Sequence, residues 1–227
     1  MKNPIDTQSL EALSRAILAE KTIPIRYSLK VPLQEAETMI CAALDAVVRF
    51  RGGILKLDED TLSHVKRIAP WLIYANSKSG LLLMGAPGNG KTSVAKALKW
   101  LIEYQSERMN GYDKRVVVNF HTAKEICRIC AASEKFKQQY DEYNDLFTER
   151  MMIIDDLGVE PKEVLVYGMV HTPIIDLLNE RYNRQLLTIL TTNLNPKQLK
   201  EKYGERIYDR FREMFEIVTF KNESYRE

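Results

Sequence analysis

Residues 80–93 read GLLLMGAPGNGKTS, and the reading of this stretch decides the fold. Leu81 to Met84 form a short apolar run of strand length. Gly85, Ala86, Pro87, Gly88, Asn89, Gly90, Lys91 and Thr92 then match G-x-x-x-x-G-K-[ST]. The segment that follows, SVAKALKWLIEY from Ser93, has helical periodicity. An ordinary Gly-rich turn would share the glycines, but not all eight positions with a strand before them and a helix after. The pattern has a chemical reason. Glycines let the backbone curl so that successive N–H groups face phosphate oxygens, and the helix N-terminus adds partial positive charge. Lys91 is then expected to reach the β- and γ-phosphates of a nucleotide, and the Thr92 hydroxyl to take a place on Mg²⁺. Ser93 opens the helix beside them.

Downstream, MMII at 151–154 is a second apolar strand, and it delivers Asp155-Asp156-Leu157-Gly158 at its C-terminal end. Asp-Asp before Leu-Gly is also common turn chemistry. Paired with the phosphate loop, the two carboxylates read as the other half of a nucleotide site, with Asp155 on the metal and Asp156 polarising the attacking water. Further apolar runs at 116–120, 186–191 and 217–220 alternate with helical patterns at 92–105, 122–132, 134–147, 170–183 and 196–214. Continuous apolar strands separated by helices predict a parallel sheet covered on both faces.

Upstream, helices are expected over 7–20, from 36 to the Gly52-Gly53 stop, and from about 60 with Pro70 as a kink or a new start. Pro24 and Pro32 bracket an extended segment. The chain therefore divides into an N-terminal helical, partner-binding region, 1–57, and an ATPase domain, 58–227. Composition agrees with a folded chain, at 45% hydrophobic and 28% charged residues. The 33 basic residues nearly balance 31 acidic ones, so any nucleic-acid binding must come from a local groove. No apolar run is long enough to span a membrane, no secretory segment opens the sequence, and there are three cysteines. A reduced, cytoplasmic protein is expected.

The motifs GLLLMGAPGNGKT, MIIDDLGVE, TILTTNLNPKQL and YGERIYDRFREM…SYR resemble the AAA+ superfamily, and within it the DnaC/IstB-like ATPases. These are helicase loaders and transposition helpers. The resemblance runs from about Leu62 to Arg226. It implies an α/β P-loop fold with a five-stranded parallel sheet and no C-terminal lid domain, since the sequence ends seven residues after Phe220. It also implies a polar sensor of the γ-phosphate at Asn193, an arginine acting on a neighbouring subunit at Arg210 (with Arg206 the competitor), and a further nucleotide-side arginine at Arg226. Glu205, Asp209 and Glu213 would otherwise be ordinary helix-surface partners for Arg210. Many AAA+ proteins carry Glu where Asp156 stands, and Asp is one methylene shorter.

The cofactors implied are ATP and Mg²⁺. The implied partners are ATP and ADP, single-stranded DNA, a replicative helicase or a transposase, and further copies of the chain, with no membrane. The leading expectation is a DnaC-like helicase loader. The alternative is an IstB-like helper on duplex DNA, and a monomeric P-loop kinase stands third because Asn193 and Arg210 have no role in it. Family members carry an extra helical element between the second and third strands that meets DNA. Here that interval offers Lys124, Arg128, Lys135 and Lys137 with Phe136, Tyr140 and Tyr143, diluted by Glu125, Glu134, Asp141 and Glu142. Cys127 and Cys130 form C-x-x-C on a helix without zinc-ligand spacing, so packing is expected. Trp71 and Trp100 are expected in the core, and His64, His121 and His171 receive no role.

Overall fold

The computed structural model describes residues 6–20, 27–74, 77–110, 116–133 and 137–225. Helix α1 (Thr7–Glu20) comes first, followed by α2 (Leu33–Phe50) and α3 (Glu59–Ile73). Strand β1 (Gly80–Gly85) leads into α4 (Lys91–Asn110). After β2 (Asn119–Thr122) come α5 (Ala123–Ala132) and α6 (Lys137–Leu146), then β3 (Met151–Leu157). A hairpin of β4 (Val164–Val166) and β5 (Met169–His171) precedes α7 (Pro173–Asn183) and β6 (Leu187–Thr192). Helices α8 (Pro196–Tyr203) and α9 (Glu205–Met214) lead to β7 (Phe215–Phe220).

Five strands form one sheet in the order β2-β3-β6-β1-β7. All four pairings are parallel. Successive residues of a strand face opposite sides, so a strand buried on both faces must be apolar throughout. In β1, Leu81 and Leu83 join a core shared with α2, α3 and α4, while Leu82 and Met84 join a second core on the other face. Ile153 and Ile189 extend the first core, and Met152, Ile154 and Leu190 the second. Each fully buried leucine or isoleucine contributes roughly 1.5–3 kcal/mol. These two cores hold the strand ends, and therefore the site, in place.

Helix α2 belongs to the first core through Ala36, Ile40, Leu44 and Val47, packing on α4 and α3. The expected division at 57/58 therefore does not divide the core. Helix α1 contrasts with it, since Leu10, Leu13 and Ile17 are all exposed.

Several element boundaries differ from the expected ones. Residues 170–172 are not helical. VLVYGMVH folds as a β-hairpin around Tyr167 and Gly168, both at positive φ, and the helix starts at Pro173 with proline in its first turn. The expected helix over 196–214 is two helices parted at Gly204, whose φ is +85°. The second strand begins at Asn119, not at Val116. Pro70 lies inside a continuous α3. Trp71 is buried, whereas Trp100 is half-buried with its ring edge-on to Phe50. Arg181 is fully buried, and its guanidinium donates to Thr188 Oγ1 and to the carbonyls of Glu149 and Leu187, tying α7 to the start of β6.

Candidate nucleotide site

The site sits at the C-terminal ends of β1, β3 and β6, where a parallel sheet leaves strand-end backbone groups and the N-termini of helices facing solvent. Beyond β1 the backbone must turn sharply against β7. At Gly85, φ is +156° and an added Cβ would lie 2.4 Å from the Phe220 carbonyl oxygen, so only glycine fits. The loop 86–90 then opens α4 at Lys91. The Lys91 ammonium donates to Gly85 O at 2.8 Å, Ala86 O at 2.6 Å and Asn89 Oδ1 at 2.9 Å. It therefore closes the loop on itself. Asn89 in turn donates to Phe220 O at 3.1 Å, anchoring the loop to β7.

Thr92 Oγ1 donates to Asp155 Oδ1 at 2.9 Å across 63 residues of sequence. Thr191 Oγ1, from β6, donates to the same oxygen at 2.6 Å and accepts from the Asp156 backbone N–H at 2.9 Å. Burial is the largest influence on Asp155 and pushes its pKa above the ordinary value. The Thr191 and Thr92 hydroxyls oppose the rise, and the neighbouring Asp156 adds to it. Asp156 is exposed, with a left-handed backbone at φ 55°, a conformation uncommon outside glycine. The turn after it is fixed from α8. The Gly158 N–H donates to Glu160 Oε2 at 2.7 Å, Tyr203 donates its hydroxyl to Glu160 Oε1, and Lys202 donates to the carbonyls of Gly158 and Glu160.

These elements frame a cavity of about 710 Å³, within the range of small-molecule sites. Pro87 to Ser93, Asp156 and Asn193 are among its lining residues. So are Leu44, Val48, Ile54, Leu55, Val65 and Ile68 from the first core and the 51–56 loop. A lining that combines a polar, phosphate-compatible set with an apolar set suits a nucleotide. For Mg²⁺, the fit rests on the Thr92 hydroxyl and the Asp155 carboxylate, which converge at 2.9 Å on the phosphate side. Among the described residues no cluster of three or more His, Cys, Asp or Glu could hold a metal.

The structure thus brings together the phosphate loop, Asp155, Asp156 and Asn193. It does not bring Arg206 or Arg210 to this cavity. Arg210 donates to Asn179 and lies over the Tyr182 ring at 4.7 Å, on the α7–α9 side, in place of pairing with Glu205, Asp209 or Glu213. Arg206 is exposed. Arg226 lies outside the described residues, as do Lys135 and Phe136. Of the expected DNA-side residues, Lys124, Arg128 and Tyr140 are exposed, while Tyr143 turns inward against Phe147 and the α5 face of Cys130. The Cys127 thiol is buried and pushed up to about 12 by burial.

Sequence reasoning missed the apolar part of the cavity lining. Gly52-Gly53 reads only as a helix stop, yet residues 51–56 line the same cavity as the phosphate loop. His64, left without a role, lines the cavity and stacks on Phe220 at 3.9 Å. Tyr225 lines the cavity as well. Its N–H donates to Gly88 O at 3.0 Å, and its hydroxyl meets Thr61 Oγ1 at 3.0 Å and Asp58 Oδ2 at 2.9 Å. The terminal Ser-Tyr-Arg motif was the one signal that could have pointed to it.

The parallel sheet, the phosphate loop and the Thr92–Asp155 contact define a P-loop nucleotide-binding protein. The chain belongs to the IstB-like ATP binding protein family, whose signature matches residues 57–227. Among solved structures it is similar to the DnaC helicase loader, with a TM-score of 0.57 and 21% identity over 82% of this chain and 100% of that one. It is also similar to DnaI, with a TM-score of 0.53 and 19% identity over 86% of this chain and 96% of that one. A curated relative, Replication factor C subunit 1 of Arabidopsis thaliana, is 28% identical over 138 residues. That match spans 51% of this chain and 14% of the relative's length. Among the described residues no helix is long and apolar enough to cross a membrane.

Proposed function

We propose that this chain binds ATP with Mg²⁺, hydrolyses it, and acts as a DnaC-like loader that places a replicative helicase on single-stranded DNA. The observation that carries the ATPase part is the Thr92–Asp155 hydrogen bond, which joins the phosphate loop to the carboxylate strand at 2.9 Å. Thr92 and Asp155 would hold Mg²⁺, which neutralises phosphate charge when bound. Lys91 exchanges its loop carbonyls for the β- and γ-phosphates. Asp156, held outward by its left-handed backbone, orients the attacking water, and Asn193 contacts the γ-phosphate. Arg210 or Arg206 supplies transition-state charge to a neighbouring copy, because neither reaches its own cavity. An arginine supplied in trans is worth roughly 10³–10⁵ in rate.

The DnaC and DnaI likeness supports the loader reading, and the family match supports the second reading, an IstB-like helper working on duplex DNA with a transposase. Steady-state ATP hydrolysis measured alone, with single-stranded DNA and with duplex DNA, at one moderate salt concentration, separates them. Stimulation by single strands is expected, and duplex-only stimulation would replace the loader with the helper. Lys91→Ala should abolish turnover. Full activity in that variant would remove the phosphate-loop assignment altogether.

A further inference from the structure

Arg51 stands at the C-terminal cap of α2, and nothing in the motif pattern assigns it a role. Its backbone is fixed. The Arg51 N–H donates to Val48 O at 3.1 Å, that of Gly52 to Arg49 O at 2.8 Å and that of Gly53 to Val48 O at 3.0 Å. Leu44 and Val47 root the helix in the core. From this platform the guanidinium crosses to the phosphate loop and donates through Nη1 to Ser93 Oγ at 3.0 Å. The side chain is exposed and lines the cavity.

Its surroundings are electrostatically unusual. Ser93 lies in the first turn of α4, and that turn holds no acidic residue. The helix N-terminus carries partial positive charge, and Lys91 adds a full one. Arg51 brings another, and it pairs with no carboxylate among the described residues. Cations gathered at the positive end of a helix are disfavoured unless an anion joins them. A guanidinium has five N–H donors, so one bond to Ser93 leaves a fork free for an oxyanion. The neighbours of Ser93 say which oxyanion. In the proposed ATP site Lys91 takes the β- and γ-phosphates and Thr92 the Mg²⁺, and Ser93 follows them in the first turn of α4 and lines the same cavity as Arg51. The phosphate left for the Arg51–Ser93 pair is the α-phosphate.

We infer that Arg51 is a nucleotide-binding residue acting within its own subunit, its guanidinium held by Ser93 and directed at the α-phosphate. This deepens the ATP-binding reading of the site and rests on it. A contact to the α-phosphate serves ATP and ADP alike, so Arg51 sets affinity and not the discrimination between them.

The test is calorimetric titration of ATP and of ADP into the wild-type chain, Arg51→Ala, Arg51→Lys and Ser93→Ala, with thermal unfolding of each without nucleotide. Arg51→Ala should weaken both nucleotides by the same factor, about ten- to hundredfold, the range of a charge-assisted hydrogen bond. Arg51→Lys should recover part of the loss, because it keeps the charge without the fork. Ser93→Ala should lose less than Arg51→Ala. The nucleotide-free melting temperature should stay within a few degrees, as for exposed positions generally. Unchanged affinity in both Arg51 variants would overturn the inference, and so would a loss confined to ATP, which would place the guanidinium at the γ-phosphate. A wild-type chain that binds neither nucleotide would sink the ATP-binding reading and this inference with it.

Discussion

Replacing Asp155 with asparagine should make the nucleotide-free protein more stable and its Mg²⁺-nucleotide complex less so. Asp155 is 5% exposed. Its Oδ1 accepts from Thr92 and Thr191, and an amide oxygen can accept both bonds, so the substitution removes chiefly the charge. Burial already raises the Asp155 pKa above the ordinary value. The sign follows directly. A carboxyl whose folded pKa exceeds its unfolded one binds its proton more tightly when folded, so stability falls as pH rises from the ordinary aspartate value through the folded value. Near neutral pH the ionised Asp155 therefore costs stability that asparagine does not.

Single stabilising substitutions commonly contribute about 0.5–2 kcal/mol, and a gain of about 1 kcal/mol is expected here. In a chain of this length that raises the melting temperature by about 2–4 °C. The difference between the two proteins should shrink as pH is lowered through the folded pKa, because the wild-type carboxyl is then protonated too. Bound ligand reverses the order. A ligand at a hundredfold over its dissociation constant adds about 2.7 kcal/mol, or about 5–11 °C here. The part of that shift that requires Mg²⁺ should vanish in Asp155→Asn. Thermal unfolding with and without ATP, each with and without Mg²⁺, reads all four terms. A lower ligand-free melting temperature in the variant would refute the reasoning, as would an unchanged Mg²⁺ increment.

Two further predictions concern hydrogen bonds elsewhere in the fold. Arg181→Met should lower stability by about 3 kcal/mol, because the carbonyls of Glu149 and Leu187 and the Thr188 hydroxyl each lose a buried donor. Urea unfolding should report it as a lower midpoint at constant slope. Tyr225→Phe should cost about 1 kcal/mol, since its hydroxyl bridges Asp58 and Thr61 at a partly exposed position. It should also weaken nucleotide binding by loosening the part of the cavity wall that Tyr225 forms, and a titration of ADP checks this.

The parts of the fold legible in the sequence are those whose signal is contiguous. Leu81 to Met84, Met151 to Ile154 and Leu186 to Thr191 are unbroken strand patterns, and their apolar residues are required by burial on two faces. The β4–β5 hairpin was legible in principle, as Val-Leu-Val and Met-Val-His flank the two-residue turn Tyr167-Gly168. Reading the apolar residues of 170–183 at helical period hid it. Gly204 likewise interrupts a helical pattern without disturbing its periodicity.

The phosphate loop was legible in the sequence alone, because the chemistry needs those residue types at fixed spacing on one strand–loop–helix unit, and the Asp155-Asp156 pair because it ends an unbroken apolar run, Met151 to Ile154. Only the tertiary structure decided what completes the site. Tyr225 meets Asp58 across 167 positions, Arg51 meets Ser93 across 42, and Thr191 meets Asp155 across 36. No local pattern encodes such pairs. They exist because the parallel sheet stacks β1, β3, β6 and β7 side by side and α2 packs over α4, so distant segments end at one edge.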